Sequence, residues 1–470
     1  MKKTLSLILI LQFFYHFVSA RQLDTVIKSG HITNDKIFKL LYVPFDVPEG
    51  TTEIRVKERY DDMNHNVFNL GIYGPQGHEV GNVSGFRGWS GGAKKEFFIN
   101  EGEASAGYIA GTIKAGTWNV LVYPSAIALA GLNWTLEITL VSGKHQKIFE
   151  IRPAATQVNV IAGWYRGDLH MHTLHSDGKR TVEQLVTEAK TKKLNYIIST
   201  EHNTNSANLS WGKYDSKNLL IINGEEVTTT AYGHWNAIGL QPETVIDWRY
   251  IPEDQVIEKY IEQVHQDNGL AIINHPFFDK GDKTFKFEIQ EFDGIEIWNG
   301  QWNKLNELAL QWWDGLLQKK LRKTAIGASD THTISGSANN LGRPQTVVYA
   351  NALSRNGIIE GIKKGRVYLA ATDSVLLKFE VRSAGETANI GETLAQHSDP
   401  LIHVYLDIKG CENSVMTLIG SKGLLFKIPV TSDSKMIRLK VKRGSTFYIR
   451  AEIRKLDGKM LALTNPIWLN

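Results

Sequence analysis

Gly167-Asp168-Leu169-His170-Met171-His172-Thr173, running on to Ser176-Asp177-Gly178, is the stretch on which the reading of the fold turns. The apolar residues at 164–169 read as a strand. Strand alternation then sends the rings of His170 and His172 to one side, where two nitrogens can converge on a single cation. A lone His-x-His carries little weight, because such pairs are more often solvated or hydrogen-bonded than metallated. Its meaning comes from what surrounds it.

From about 164 to 371 apolar strand-like runs alternate with helical stripes. Thr181 is placed to cap a helix whose Val182, Leu185, Val186 and Ala189 share a face, and 196–200 then reads as a buried strand. Val256, Ile257, Tyr260, Ile261 and Val264 repeat the stripe, Gly269 ends it, and 270–273 makes the next strand. Further strands are expected at 219–222, 295–298, 324–327 and 346–349, with a helix across 305–317. Repetition of this kind predicts an α/β segment with a parallel sheet or barrel.

Each unit delivers a polar residue just past its strand: Asp177, His202, Glu225, His275, then Asp330 and His332, while His234 enters from Gly233-His234-Trp235-Asn236. In a barrel of parallel strands the carboxyl ends face one mouth, so six of the 15 histidines and three carboxylates would meet there. Nine such groups are too many for one ion, and packed carboxylates without cations repel and protonate. A multinuclear cluster of divalent ions resolves both difficulties, and water held between two cations loses a proton near neutral pH. Cys411 is the only cysteine, which excludes thiolate-rich sites and an intramolecular disulfide framework; His and carboxylate ligands suit Zn, Mn or Fe.

The flanks differ. Residues 21–155 show short alternating segments with Gly-rich turns, as in Gly116-Thr117-Trp118-Asn119-Val120-Leu121-Val122, and predict a β-sandwich or jelly roll. Phe86-Arg87-Gly88-Trp89-Ser90-Gly91-Gly92 is either a sugar-binding loop or, more commonly for such a stretch, a turn capped by a buried Trp. Residues 375–470 return to alternation, predicting a C-terminal β domain after a central domain at 160–372. Lys2, Lys3, the apolar residues 5–18 and the small-residue ending Val18-Ser19-Ala20 read as a secretory signal over 1–20, and hence an exported, periplasmic or secreted protein. No later run approaches the ~20 apolar residues needed to span a bilayer. With 470 residues, 42% hydrophobic, and 53 Lys+Arg against 49 Asp+Glu, the chain can fill real cores and lacks the clustered cations of a nucleic-acid binder.

The central segment resembles the PHP (polymerase and histidinol phosphatase) superfamily of metallohydrolases. The likeness is carried by the opening motif together with Thr200-Glu201-His202-Asn203, Gly224-Glu225-Glu226-Val227, Asn274-His275-Pro276 and Ala328-Ser329-Asp330-Thr331-His332. The whole chain is similar to the exported CehA/McbA-type branch, including Gly88-Trp89-Ser90-Gly91 and Thr464-Asn465-Pro466-Ile467. This resemblance implies a distorted (β/α)7 TIM-like barrel between β-sandwich-like domains, and a cluster of two or three divalent ions. It also implies that His170, His172, Glu225 and Asp330 hold one ion, that Glu225 bridges to a second on His234 and His275, and that Asp177, His202 and His332 hold a third. Glu201 stands where the family often has Asp, and is expected to orient His202.

The expected activity is metal-dependent hydrolysis of a phosphate ester, with a metal-bridging hydroxide attacking phosphorus. Hydrolysis of a carbamate or amide on the same cluster is the alternative, and a non-catalytic glycan-binding protein with a metal-stabilised barrel is the third reading. Besides Glu225, the residues nominated for the reaction are His332 as leaving-group acid, His175 as acid or phosphate contact, and Arg343 for an anionic substrate. For His175 an exposed loop position, and for Arg343 a surface ion pair, stand as equal alternatives.

Overall fold

The structure, a computed structural model, describes residues 22–61, 65–144, 147–278, 284–333, 340–395 and 399–469. The expected signal segment at 1–20 lies outside the described residues. No described helix is long and apolar enough to cross a membrane.

The first unit is two four-stranded antiparallel sheets face to face, one of Gln22–Ile32, Leu132–Ser142, Thr51–Tyr60 and Glu96–Asn100, the other of Leu41–Val47, Gly116–Ala126, Val67–Tyr73 and Phe86–Gly91. Alternation explains the core: Ile54, Val56, Phe68, Leu70, Trp118, Val120, Leu136 and Ile138 point between the sheets. Trp89 is not exposed and lies in the strand Phe86–Gly91 rather than in the expected turn; its ring lies 4.7 Å from that of Trp248, so this strand helps dock the sandwich on the central unit.

Glu58 shares the inward register of Ile54 and Val56, is 2% exposed, and neither carboxylate oxygen has a hydrogen-bond partner. Burial pushes its acid up to about 8 against a small opposing pull from Lys95. The folded chain therefore keeps this proton while the unfolded chain releases it, so stability should fall as pH rises between about 4.5 and 8. Urea unfolding should show a loss on the order of 2 kcal/mol across that window, and Glu58→Gln should flatten the profile.

The strands of the central unit fall into two hydrogen-bonded sheets rather than the single continuous ladder of a regular (β/α)7 TIM-like barrel. One sheet contains Gly163–Asp168 flanked by Tyr196–Ile198 (parallel) and Gln345–Ala350 (antiparallel). A separate five-stranded sheet runs Gly224–Thr229, Gly233–Ile238, Leu270–Ile273, Gly294–Asn299 and Thr324–Ala328. The departure has two causes. The turn at 230–232 makes an antiparallel hairpin where a βα unit was expected, and only four α-helices, Val182–Thr191, Ile257–Gln266, Lys304–Gln318 and Arg355–Lys363, occur among the described residues. The result is a mixed, strand-rich α/β unit. Isolated bridges Met171–Thr331 and His202–Glu226 tie the edges of the second sheet to the ends of two strands of the first. Both seams fall at candidate ligands.

The C-terminal strands share a sheet with the central unit. The four-stranded sheet of Glu386–Asn389, Leu376–Ser383, Leu401–Lys409 and Ser434–Lys442 packs against strands that continue the central sheet, because Val367–Ala370 pairs with Met460–Thr464.

Candidate metal centre

Gly163–Asp168 ends on Asp168, whose buried carboxylate accepts from Ser329 N at 3.0 Å and Gly342 N at 2.6 Å. Asp330 N donates to His170 O at 2.9 Å and His172 N to Thr331 O at 3.0 Å, so two ligand-bearing strand ends are laced together through their backbones. Asp330 (φ 49°) and His275 (φ 21°) both have positive φ, which side-chain-bearing residues seldom adopt and which tends to be retained at functional sites.

Glu226 is the hub. Its Oε2 lies 3.3 Å from His170 Nε2, 3.4 Å from His172 Nε2 and 2.8 Å from His202 Nδ1. Its Oε1 lies 3.2 Å from His234 Nδ1 and 3.3 Å from His275 Nε2. Asp330 Oδ1 is 3.3 Å from His170 Nε2 and 3.2 Å from His172 Nε2, and Asp177 Oδ1 is 3.2 Å from His332 Nε2. These contacts define four overlapping groups able to hold a metal ion: His172, Asp177, His202 and His332; His170, Glu226 and His275; His170, His172 and Asp330; and His202, Glu226 and His234.

Eight of the nine expected ligands are thus brought together, and Glu225 is not. Adjacent strand residues face opposite sides. Glu225 points away, accepts from Ile246 N at 3.1 Å, and is pushed up to about 8 by burial. The signal was in the sequence: Val227 shares the face of Glu225 and is packed in the core, whereas Thr228 shares the face of Glu226 and bonds His202 Nδ1 at 2.6 Å.

Glu296 was missed altogether. Its Oε1 lies 3.2 Å from His170 Nδ1, and its Oε2 accepts from His275 N at 2.9 Å and Asn299 Nδ2 at 3.1 Å. An acid in the apolar run Ile295-Glu296-Ile297-Trp298 is the feature that marks it. Such a carboxylate fixes ring orientation and tautomer, so Glu296→Gln should weaken metal affinity by roughly 10–100-fold, read by chelator competition.

Three other expectations fare differently. Glu201 does not orient His202; it accepts from Thr173 N, Thr173 Oγ1 and Ser176 Oγ, and so holds the loop between His172 and Asp177. His175 is not among the metal-holding groups. Burial lowers it to about 4 and its Nδ1 meets Ser206 Oγ at 2.8 Å, on the side where Lys94 of the sandwich donates to Leu174 O at 2.6 Å. Arg343 is exposed and lines a cleft of about 320 Å³ with Trp302, Lys455 and Lys459, next to the C-terminal strands.

Burial opposes charge on His170, yet Asp330, Glu226 and Glu296 raise it well above its ordinary value, and His202 is raised to about 9 against burial chiefly by Glu226. Burial likewise works to raise Glu226 and Asp330, but the surrounding imidazoles, His170 foremost, hold both well below the carboxylate range. His172 goes the other way, lowered to about 3 by burial and by His332 and His202. The site's field therefore demands positive charge, and His172 stays neutral and able to ligate.

The donor set fits a metal. His170 Nε2, His172 Nε2, Asp177 Oδ1 and Glu226 Oε2 are buried without a hydrogen-bond partner. The Nδ1 atoms of His170 and His172 face Glu296 and Ser176 Oγ, which leaves Nε2 as the lone-pair side of each ring. Nitrogen and oxygen donors without thiolate suit Zn, Mn or Fe.

No family model matches the chain. A stretch is 26% identical over 150 residues to the uncharacterized protein MJ1587 of Methanocaldococcus jannaschii, covering 28% of this chain and 81% of that protein. Among solved structures the chain is similar to a two-domain protein of Bacteroides vulgatus described as containing a predicted PHP-like metal-dependent phosphoesterase, with TM-score 0.38, 19% identity, and coverage of 69% of this chain and 100% of that one. It is also similar to an amidohydrolase of Chromobacterium violaceum with bound sulfate, with TM-score 0.27, 15% identity, and coverage of 37% and 89%.

Proposed function

We propose that the chain is a metal-dependent phosphoesterase of the PHP class, with the CehA/McbA-type arrangement, exported by way of the Lys2-Lys3 and 5–18 segment. The observation that carries this reading is Glu226, one buried carboxylate bearing on five imidazoles, two of which present unpartnered Nε2 atoms. His170, His172, Glu226 and Asp330 would hold one divalent ion, Glu226 with His234 and His275 a second, and Asp177, His202 and His332 a third. Divalent ions bound there supply Lewis acidity toward phosphoryl oxygens and acidify water.

The chain's own residues prepare that site. Glu296 retains the Nδ1 proton of His170, Ser176 does so for His172 while donating to Glu201, and Asn299 Nδ2 holds Asp330 Oδ2 at 3.1 Å. The supports are buried and mutually bonded, which limits reorganisation when charge develops on a substrate. Three groups of ligands suit a dianionic phosphate better than a neutral acyl centre, because the summed positive charge is matched by the substrate's own.

After loading with Mn or Zn, the purified protein should hydrolyse an aryl phosphate in preference to an aryl carbamate. Carbamate turnover alone would overturn the phosphoesterase assignment, and turnover of neither by metal-replete protein would overturn the hydrolase.

A further inference from the structure

Asp330 stands six residues beyond Thr324, and at the Thr324 end of that strand lies a second pocket of about 420 Å³. At about 3.3 Å per strand residue the two sites are roughly 20 Å apart. The pocket is walled by the central unit and the C-terminal strands together, and its charge is one-sided. Arg322, Lys323, Lys363, Lys364 and Arg366 face a single acid, Glu392, an excess of four positive charges that equals the formal charge of +4 on the entire chain.

Two of these cations are already engaged. Lys364 pairs with Glu360 at 2.7 Å, and the Lys323 ammonium donates to Gln290 O and Phe292 O at 2.5 and 2.6 Å. Arg322, Lys363 and Arg366 remain against Glu392, which reaches Arg366 Nη2 only at 3.4 Å. Arg366 Nε is buried and has no acceptor. The Arg322 guanidinium lies 4.4 Å from the centre of the Trp468 ring, which fixes its plane while leaving its edge donors to one weak contact, Thr393 Oγ1 at 3.4 Å. The walls are braced by hydrogen bonds and close backbone contact. Asn465 Nδ2 donates to Ala325 O and Val367 O, and Gly391 at φ 83° lets two loops close, since a Cβ there would stand 2.4 Å from Lys364 O.

We propose that this pocket is a binding site for a phosphate dianion, free or esterified, held by Arg322, Arg366 and Lys363. Guanidinium forks match phosphate oxygens in pairs, and the volume exceeds that of a bare phosphate. The proposal does not depend on the metal centre being catalytic.

Glu226→Gln protein, stripped with chelator so that the cluster takes no phosphate, is titrated with inorganic phosphate or with glycerol 1-phosphate. Thermal unfolding and tryptophan fluorescence are followed, with potassium chloride at matched ionic strength as control. A saturable rise in Tm with either ligand, absent with chloride, is expected, and the two arms identify whether free or esterified phosphate is the better occupant. Arg366→Gln in the same background should bind at least about ten-fold more weakly, and Lys363→Gln, at an exposed position that cannot unfold the chain, a few-fold more weakly. A response that does not saturate, that chloride reproduces, or that both variants retain at full affinity overturns the proposal.

Discussion

Glu226→Gln is expected to strip the protein of bound metal and to lower kcat/KM toward an aryl phosphate by at least about 10³-fold, some 4 kcal/mol of transition-state stabilisation, while Glu225→Gln keeps metal content and activity within a few-fold. The contrast follows from strand parity. Glu226 places both oxygens among five imidazoles, and a neutral amide there loses the charge that offsets bound cations and puts a donor where two imidazoles present lone pairs. Glu225 sits on the reverse face against Ile246 N and is already raised to about 8, so its amide replaces a largely protonated acid. Elemental analysis and kinetics on both variants, with circular dichroism to confirm the fold, separate the two residues. Metal retention by Glu226→Gln, or metal loss confined to Glu225→Gln, would invert the assignment of the hub.

How much of this was legible follows from what each residue needs in order to be recognised. His170 and His172 say little by themselves, and they become legible as ligands only through the other imidazoles and carboxylates that stand just past predicted strands. The parity of Glu225 and Glu226 is also present, in Val227 and Thr228, whereas the resemblance follows the motif and points to the first acid. Glu296 is a different case. It lies inside a strand rather than after it, so only its conflict with the buried apolar run marks it, and its partner His170 is 126 positions away. The seams of the central unit and the continuation of its sheet into Met460–Thr464 depend on which strand edges meet. Edge pairing is set by register and three-dimensional closure, which local alternation does not encode.

The second large effect concerns the junction of the sandwich with the central unit, and Arg249→Met is expected to cost about 3–5 kcal/mol in urea unfolding with metal content unchanged. The guanidinium is wholly buried. It pairs with Asp247 through Nε at 2.8 Å and Nη2 at 2.9 Å, and lies 4.5 Å from the centre of the Tyr73 ring. Its remaining bonds all cross to the sandwich: Nη1 to Tyr42 OH at 2.7 Å and His78 O at 2.6 Å, Nη2 to Glu79 O at 3.1 Å and Asn82 O at 3.0 Å. Burial works against the charge, but Asp247 foremost raises Arg249 further above its ordinary value, so the ion does not shed its proton to relieve the cost. Removing it deprives Asp247 of its counter-ion and leaves the His78 and Asn82 carbonyls without a donor, while Glu79 O keeps the Asn82 N–H. Adding Asp247→Asn to Arg249→Met relieves the stranded charge but not the carbonyls, so the double variant should remain at least about 2 kcal/mol below the parent. Full recovery in the double variant would mean that the bonds to the 78–82 turn contribute nothing, and that the sandwich is held by other contacts, such as Trp89 on Trp248 and Lys94 on Leu174 O. Because Ile246, three residues before Arg249, supplies the N–H that Glu225 accepts, the same loop also braces the outer face of the strand whose inner face carries Glu226. Loosening the junction should therefore leave the metal in place while raising proteolytic cleavage at 75–85, a readout distinct from the loss of metal expected at Glu226.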